Sequence, residues 1–582
     1  MAFKNKTRLL VVAIDFGTAY SGIAFQFKHE FEKDPIKISA AQTWNGGKQN
    51  LMSYKTPTCL LLDKDGKFDS FGYEAEDKYA DLCMDKKQTD WYFFRRFKMR
   101  LQEREGLTIS SDLEDASNKK MKAIHVFSQS IECLRKVVME MLDRQGTSVK
   151  STDIHWILTV PAIWNEPSKQ FMREAAIKAG IESSQLDIAL EPEAAALYCQ
   201  YLPLDRFVDM DDKVHFGALP PGSTYMVVDL GGGTADMTVH EKTKENQLKE
   251  VVKASGGPWG GTAVDDEFLG ILEQIIGKET MEVFKKEHTY DYFDLLREFE
   301  SVKRKISMNT EVKLNMKMPV SLDNVSDGKS FKKQLEKSKY SQDIVIQHDK
   351  LRLSPNVVRK LFQQVTEKVI RHMEGILSTE AGKKVTLILL VGGMSESLYV
   401  QDLIRSRFHG KHGIKVISPK EAGLSVLNGA VIFGSSPNLI GTRILRYTYG
   451  VSITPTFDPE KHPEEKKIEI DGKLRCNDVF SAFIQVDTPV EIGHSVTKCY
   501  STVIPFQTAI LLTIFASSDK DPTFTTDPGC LEVGELAVFI PNPSKEERAV
   551  IVDFKFGYTE LQVLAFEPRT MIPFIASLNM IE

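Results

Sequence analysis

Cysteine is scarce in this chain and forms no pattern. Seven occur in 582 residues, at Cys59, Cys83, Cys133, Cys199, Cys476, Cys499 and Cys530. None has paired spacing, which speaks against a disulfide framework or a cysteine-based zinc site and fits free thiols in a reducing compartment. His409 and His412 stand close together without a second ligand pair, so a solvated loop accounts for them. An excess of basic charge is also lacking. The net charge of −6 argues against a sequence-independent grip on nucleic acid. No apolar run reaches membrane-spanning length. The apolar start is short, stops at Asp15 and meets no small-residue cleavage site, so it reads as a first strand rather than a signal peptide. Neither GxxxxGK[ST] nor a well-placed GxGxxG occurs. The remaining composition, 42% hydrophobic and 26% charged, is that of a globular protein, and the length predicts more than one domain.

What the chain does have is one phrase written twice. Leu9 to Tyr20 reads LLVVAIDFGTAY, and Tyr225 to Asp236 reads YMVVDLGGGTAD. Each is an apolar run suited to a buried strand, then an acid, then glycine, then threonine. A glycine turn leaves backbone N–H groups open to a phosphate. Two such turns, at Gly17-Thr18-Ala19 and Gly231-Gly232-Gly233-Thr234, can grip a polyphosphate from opposite sides. Asp15 and Asp229 then face a shared Mg²⁺, held through its waters. For one turn alone, a tight strand connection needing glycine is an equal explanation; the duplication favours the phosphate reading. The repeat predicts duplicated lobes with a nucleotide between them.

Strand and helix patterns alternate to about Gly434, predicting α/β lobes. Strands are expected at Leu9–Asp15, His155–Val160, Tyr225–Asp229 and Val385–Val391. Helices are expected at Ala123–Leu142, Glu166–Ala179, Ala263–Ile276 and Pro355–Leu377. Beyond Gly434, runs at Val479–Val486, Gln507–Phe515, Leu531–Ile540, Ala549–Phe556 and Leu561–Phe566 predict an all-β sandwich. Residues 435–450 read as a linker, and Glu460–Glu469 as a solvated hairpin tip. Polar stretches at 102–122, 205–222 and 323–347 read as loops or insertions.

Several segments, in order, resemble the 70-kDa heat-shock protein family: IDFGTAYSGIAF, LTVPAIWNEPSKQFMREAAIKAG, EPEAAALYC, VVDLGGGTADMTV, GGPWGGTAVDDEF, FESVKRKIS and LVGGMSESLYVQDLI. Trp-Asn-Glu-Pro and Gly-Gly-Met-Ser-Glu are most similar to its 12A/12B-type branch. The resemblance implies an actin-like, two-lobe ATPase domain over 1–434, a linker over 435–450 and a β-sandwich substrate domain over 451–582. Because the chain ends at Glu582, the family's helical lid and acidic tail are expected to be missing.

The resemblance also assigns roles. Asp15, Lys98, Glu191, Asp229 and Thr234 become catalytic: Glu191 orients the attacking water, and Lys98 neutralises charge on the transferred phosphoryl group. The rival reading of Lys98 is a basic amphipathic surface stretch with Arg95, Arg96 and Arg100. Pro192 is expected to hold Glu191 extended. Tyr20, Gly260, Gly261, Gly392, Gly393 and Met394 join the nucleotide site. Glu300, Lys303, Arg304 and Ser307, spaced along one helical face, bind the adenosine; an exposed charged face is the plain alternative. Asp236 stands near the metal. Two positions depart from the family: Glu396 replaces an adenine-stacking arginine, and Lys420 an aspartate. The junction carries Arg443 and Arg446 instead of an acidic–leucine linker. Pro161 resembles a relay proline between domains, or simply ends a strand.

The expected function is an ATP-binding, stress-response chaperone with slow Mg²⁺-dependent hydrolysis to ADP and phosphate. Its expected partners are a polypeptide or specific protein client and co-chaperones, in the cytoplasm with the nucleus as a second compartment. A nucleotide-gated scaffold with little turnover is the alternative. A sugar kinase shares the duplicated cleft but not the β-rich tail.

Overall fold

The structure, a computed structural model, describes residues 8–46, 51–102, 107–208, 216–324, 330–570, 572–575 and 581. Parts of the three expected polar loops, at 103–106, 209–215 and 325–329, lie outside the described residues. The chain divides into two compact units. Each is built separately.

The first unit comprises 1–164, 171–242 and 254–437. Its apolar runs become strands buried along most of their length. Strand β1 (Leu10–Phe16) turns back antiparallel into β2 (Tyr20–Phe27), and every residue of β1 is buried. Short strands β3 (Ser39–Ala40) and β4 (Lys55–Pro57) both pair with β2. Strand β5 (Tyr92–Arg95) leads into the 3₁₀ turn Phe97–Gln102. Strand β6 (Ile154–Val160) runs parallel to β1, and β7 (Leu186–Leu190) parallel to β6. The second phrase repeats this plan. Strand β8 (Thr224–Leu230) turns back antiparallel into β9 (Ala235–Lys242), β10 (Val385–Val391) runs parallel to β8, and β11 (Lys415–Ile417) parallel to β10. The duplicated words therefore occupy equivalent places in two sheets of the same local topology.

Helices cover these sheets. Helix α1 (Ala123–Arg144) buries Val126, Phe127, Ile131, Leu134 and Val138 on one face, the 3.6-residue spacing expected of an amphipathic helix. Helix α2 (Glu166–Lys178) starts where the Asn165 side chain accepts the Ser168 N–H at 3.0 Å. It closes before Gly180, whose φ of +85° suits glycine. Helix α3 (Glu191–Tyr201) is buried nearly all round. Among the described residues no helix is long and apolar enough to cross a membrane.

The second unit comprises 165–170, 243–253 and 438–582. Strands Thr448–Ile453, Val479–Ile484, Ala509–Ser517 and Cys530–Phe539 form one antiparallel sheet. Strands His494–Ser501, Ala549–Phe556, Gln562–Phe566 and Pro573–Ile575 form another. Inward residues alternate along them, and Val451, Ile514, Val538, Val552 and Phe554 meet in a shared core. The same unit holds a buried ion pair, Arg548 to Glu567 at 2.6 Å.

Several details differ from the sequence reading, among them the paired strands Asp112–Glu114 and Lys120–Lys122 and the helix Phe331–Lys337 where loops or insertions were expected. The segment 435–450 is not a loose linker: Ile440–Ile444 forms a strand against Pro489–Glu491, and Leu445 and Tyr449 are buried. Ile440 and Arg443 are the buried side chains of that strand, which forms despite the segment's Gly, Ser and Pro. The unit boundary is not a single cut, because 165–170 and 243–253 group with the later residues. The charged run at 460–469 is no hairpin tip; it leads through the turn Glu464–Lys466 into the hairpin Lys467–Ile470 with Lys473–Cys476.

Candidate functional site

The two acid–glycine turns meet face to face. A Cβ added to Gly232 would lie 2.6 Å from the Ala19 Cβ, and one added to Gly233 would lie 2.6 Å from Thr18 Oγ1. Each turn is tied down from behind. Thr58 Oγ1 donates to the Gly17 carbonyl at 2.7 Å, and the Thr58 N–H donates to the Ala19 carbonyl at 2.9 Å. In the second turn, the carbonyls of Gly231, Gly232 and Gly233 accept from the N–H groups of Gly261, Thr262 and Gly260, at 3.1, 2.8 and 3.1 Å. With the carbonyls bound behind, the opposite, N–H side of the turn is presented forward, which is what an anion requires. Among the described residues no protein acceptor takes the N–H of Gly232 or Gly233. Gly231 is a correction: its N–H donates to the Thr234 carbonyl at 2.9 Å and is spent on closing the turn.

Four carboxylates lie within electrostatic reach of one another, two of them at the strand ends that lead into these turns. Asp15, Asp229, Asp236 and Glu191 are all buried. Asp229 and Asp236 stand opposite each other on β8 and β9, so their side chains share a face. Asp15 accepts from Thr159 Oγ1 at 2.9 Å with one oxygen and from Lys55 Nζ at 2.6 Å with the other. Asp236 accepts the Ile163 N–H at 2.9 Å. Burial pushes the Glu191 carboxyl up to about 7; Lys98 opposes this while Asp15 and Asp236 reinforce it. Asp229 is raised well above the usual carboxylate range by burial, then by Glu191, Asp236 and Asp15. Gly392, with φ +86°, backs onto it: a Cβ there would sit 2.2 Å from Asp229 Oδ1. Hard oxygens and surplus negative charge fit a divalent cation. Among the described residues no three His, Cys, Asp or Glu side chains converge as a direct cage, so the fit is to a cation that keeps its waters.

Lys98 is buried rather than on a basic surface. Only 2% of its side chain is exposed, and Nζ meets Glu191 Oε1 at 2.9 Å. Nζ also lies 4.9 Å from the Trp164 ring centre. The turn that aims it is made by Arg96, a non-glycine residue at φ +54° between β5 and Phe97–Gln102. Glu191 opens α3 instead of preceding it in extended form. Leu190 takes the extended conformation, and Pro192 falls in the first turn, where a missing N–H costs nothing.

A second ionic cluster involves helix α5 (Thr289–Lys303), which follows α4 (Gly261–Ile276). Lys303 Nζ contacts Asp265 at 2.6 Å and Glu300 at 2.7 Å, and Arg96 reaches Asp265 at 2.5 Å. Arg304 contacts Glu300 at 3.2 Å. Burial would raise Glu300, but Lys303 and Arg304 hold it below its ordinary value. Burial, with Glu300 adding to it, raises the Tyr20 phenol. Ser307 corrects the helical-face reading: α5 ends at Lys303, and Ser307 instead bonds Thr310. Met394 is buried beside exposed Gly393 in a 3₁₀ turn. Glu396 accepts the Gly423 N–H at 3.0 Å, while the Lys420 N–H donates to the Arg206 carbonyl.

Lys55 and Asp265 were not picked out from the sequence. Asp265 lies in the quoted GGTAVDDEF with no spacing to mark it. Lys55 shows itself only through strand register.

Paired acid–glycine turns stand at matching points of two sheets, each between an antiparallel pair of strands. The comparisons name the class. The family model described as Hsp70 protein matches residues 93–438, well over half of the chain, and the chain belongs to the Hsp70 family. It is 34% identical to Heat shock 70 kDa protein 12A of Mus musculus, over 97% of this chain and 91% of that protein. It is also 34% identical to Heat shock 70 kDa protein 12B of Homo sapiens, over 96% of this chain and 89% of that one. Chaperone protein DnaK of Thermotoga petrophila is 25% identical over 62% of this chain and 51% of its own length. The similarity matches the 12A/12B-type branch.

Proposed function

We propose that this chain is an ATP-binding chaperone-like protein that hydrolyses ATP slowly and couples the nucleotide state to polypeptide binding. One observation carries the reading: two glycine turns face each other, and the acids that precede them belong to a group of four buried carboxylates within electrostatic reach of one another. In this reading 1–434 is the two-lobe nucleotide domain, and 451–582 is the β-sandwich that takes an extended polypeptide client. The N–H groups of Gly232 and Gly233 and the hydroxyls of Thr18 and Thr234 hold phosphate oxygens. Glu191, fixed at the head of α3, positions the attacking water and, with a carboxyl raised to about 7, is poised to take its proton. Lys98 holds Glu191 in place and supplies positive charge near the transferred phosphoryl group. Asp15 and Asp229 hold a hydrated Mg²⁺, which when bound supplies charge neutralisation for the phosphates. Lys303, Glu300 and Arg304 form the nucleoside side. The setting is the cytoplasm.

A scaffold that binds nucleotide with little turnover is supported by Glu396, an acid on the Gly393–Glu396 turn whose carboxylate is engaged with Gly423. The deciding experiment is phosphate release from ATP by the purified chain, alongside Glu191→Gln and Asp15→Asn. Release that falls in both variants supports hydrolysis. Equal release in all three removes it, and tight ATP binding with no release leaves the scaffold.

A further inference from the structure

Asp15 has a cationic partner that the nucleotide scheme does not require. On β1 and β2, Asp15 stands opposite Gly22; on β2 and β4, Gly22 stands opposite Lys55. Residues opposite each other in antiparallel pairs project to the same face, so the three lie in one row. Adjacent strands are about 4.8 Å apart, so Lys55 must cross the middle strand to reach Asp15. Only a long side chain can do this, and only over a residue with no side chain of its own. Both conditions hold. A Cβ on Gly22 would lie 2.9 Å from Lys55 Cγ, and Lys55 Nζ reaches Asp15 Oδ2 at 2.6 Å. The ammonium is mostly enclosed, with 19% of the side chain exposed against 6% for Asp15. Thr159 fixes the other Asp15 oxygen, so the carboxylate cannot swing away.

Charge explains what such a lysine is for. Of the four buried carboxylates, Glu191 is paired with Lys98 and Asp15 with Lys55. A nucleotide brings further negative charge to the Gly17–Ala19 turn. Without a counter-ion, Asp15 would repel it at short range through a poorly screening interior. Lys55 is a cation tethered at that point whether or not a metal is bound.

We propose that Lys55 is a built-in cation of the phosphate site, one that lets this chain hold a nucleoside di- or triphosphate with a reduced need for Mg²⁺. The inference rests on the nucleotide reading above. It is tested by calorimetric titration of the full chain with ADP, once in excess Mg²⁺ and once in EDTA, for the wild type and Lys55→Met. The quantity read is the ratio of Kd in EDTA to Kd in Mg²⁺. That ratio should rise about tenfold in Lys55→Met, because removing the ammonium leaves a buried charge uncompensated only when the metal is absent. Should Lys55→Met fail to fold, Lys55→Gln replaces it with the same expectation. A ratio equal to that of the wild type, or smaller, overturns the inference while leaving nucleotide binding intact. A wild type that binds ADP in neither solution removes the nucleotide reading, and this inference with it.

Discussion

Lys98 and Glu191 lie 93 positions apart and meet as a buried ion pair at 2.9 Å. Neither could be there alone: an unpaired charge in that setting costs several kcal/mol. The pair joins the turn after β5 to the head of α3, and so locks two separate segments onto the same point behind the glycine turns.

Glu191→Gln should lower phosphate release about a hundredfold while changing nucleotide affinity only a few-fold, since positioning a water is a transition-state role. Single-turnover release and calorimetry on the same preparation separate the two. A variant that loses affinity and turnover together would make Glu191 a binding residue instead.

Gly260 and Gly261 make a matched pair. A Cβ at Gly260 would lie 2.6 Å from the backbone of Gly232 and Gly233, whereas at Gly261 the nearest atoms are 4.0 Å away. Gly260→Ala should therefore push the second turn out of place and abolish the rise in melting temperature produced by Mg-ADP. Gly261→Ala, at the first position of α4, should keep that rise and shift stability by no more than about 1 kcal/mol, in the stabilising direction. Thermal melts with and without nucleotide read both.

Asp229→Asn should stabilise the nucleotide-free protein. Burial and three neighbouring carboxylates raise the Asp229 carboxyl, so the folded state holds its proton more tightly than the unfolded chain. Stability contributed by such a group is present at low pH and is lost as pH rises above the ordinary carboxylate value of about 4. Glu191, raised to about 7, acts in the same direction. The melting-temperature advantage of Asp229→Asn should be largest near neutral pH and shrink toward pH 4. An advantage independent of pH would contradict the repulsion argument.

Arg548→Met should destabilise the second unit by about 1.5–3 kcal/mol, because Glu567 loses its cation and is left with the Arg569 and Thr570 N–H groups that its other oxygen accepts. Arg548 also donates to the carbonyls of Pro541 and Asn542. The double variant Arg548→Met with Glu567→Leu should recover part of the loss. Chemical denaturation of the three proteins measures the coupling.

The residue pattern alone was enough to place Val385–Val391 and Ala549–Phe556, and to place β1 and β8 within a residue: β1 and β8 are fully buried and leave apolar runs, whereas Ala549–Phe556 is buried at alternate residues and leaves an alternating pattern. The sheet that each strand joins was harder to read: His494–Ser501 and Ala509–Ser517 follow each other in the chain, yet they belong to different sheets, separated by a turn with Phe506 at φ +54°. Nothing in a run of β-formers states which sheet each strand will join.

By itself the sequence determined the glycine turns and the acids before them, because a tight turn and a strand-end carboxylate are local requirements that each residue meets alone. The Lys98–Glu191 pair, the reach of Lys55 across Gly22, and the Lys303–Asp265 contact were decided only by tertiary structure. Each depends on register or packing between segments distant in the chain, and a buried charge finds its partner through space, where sequence spacing carries no information.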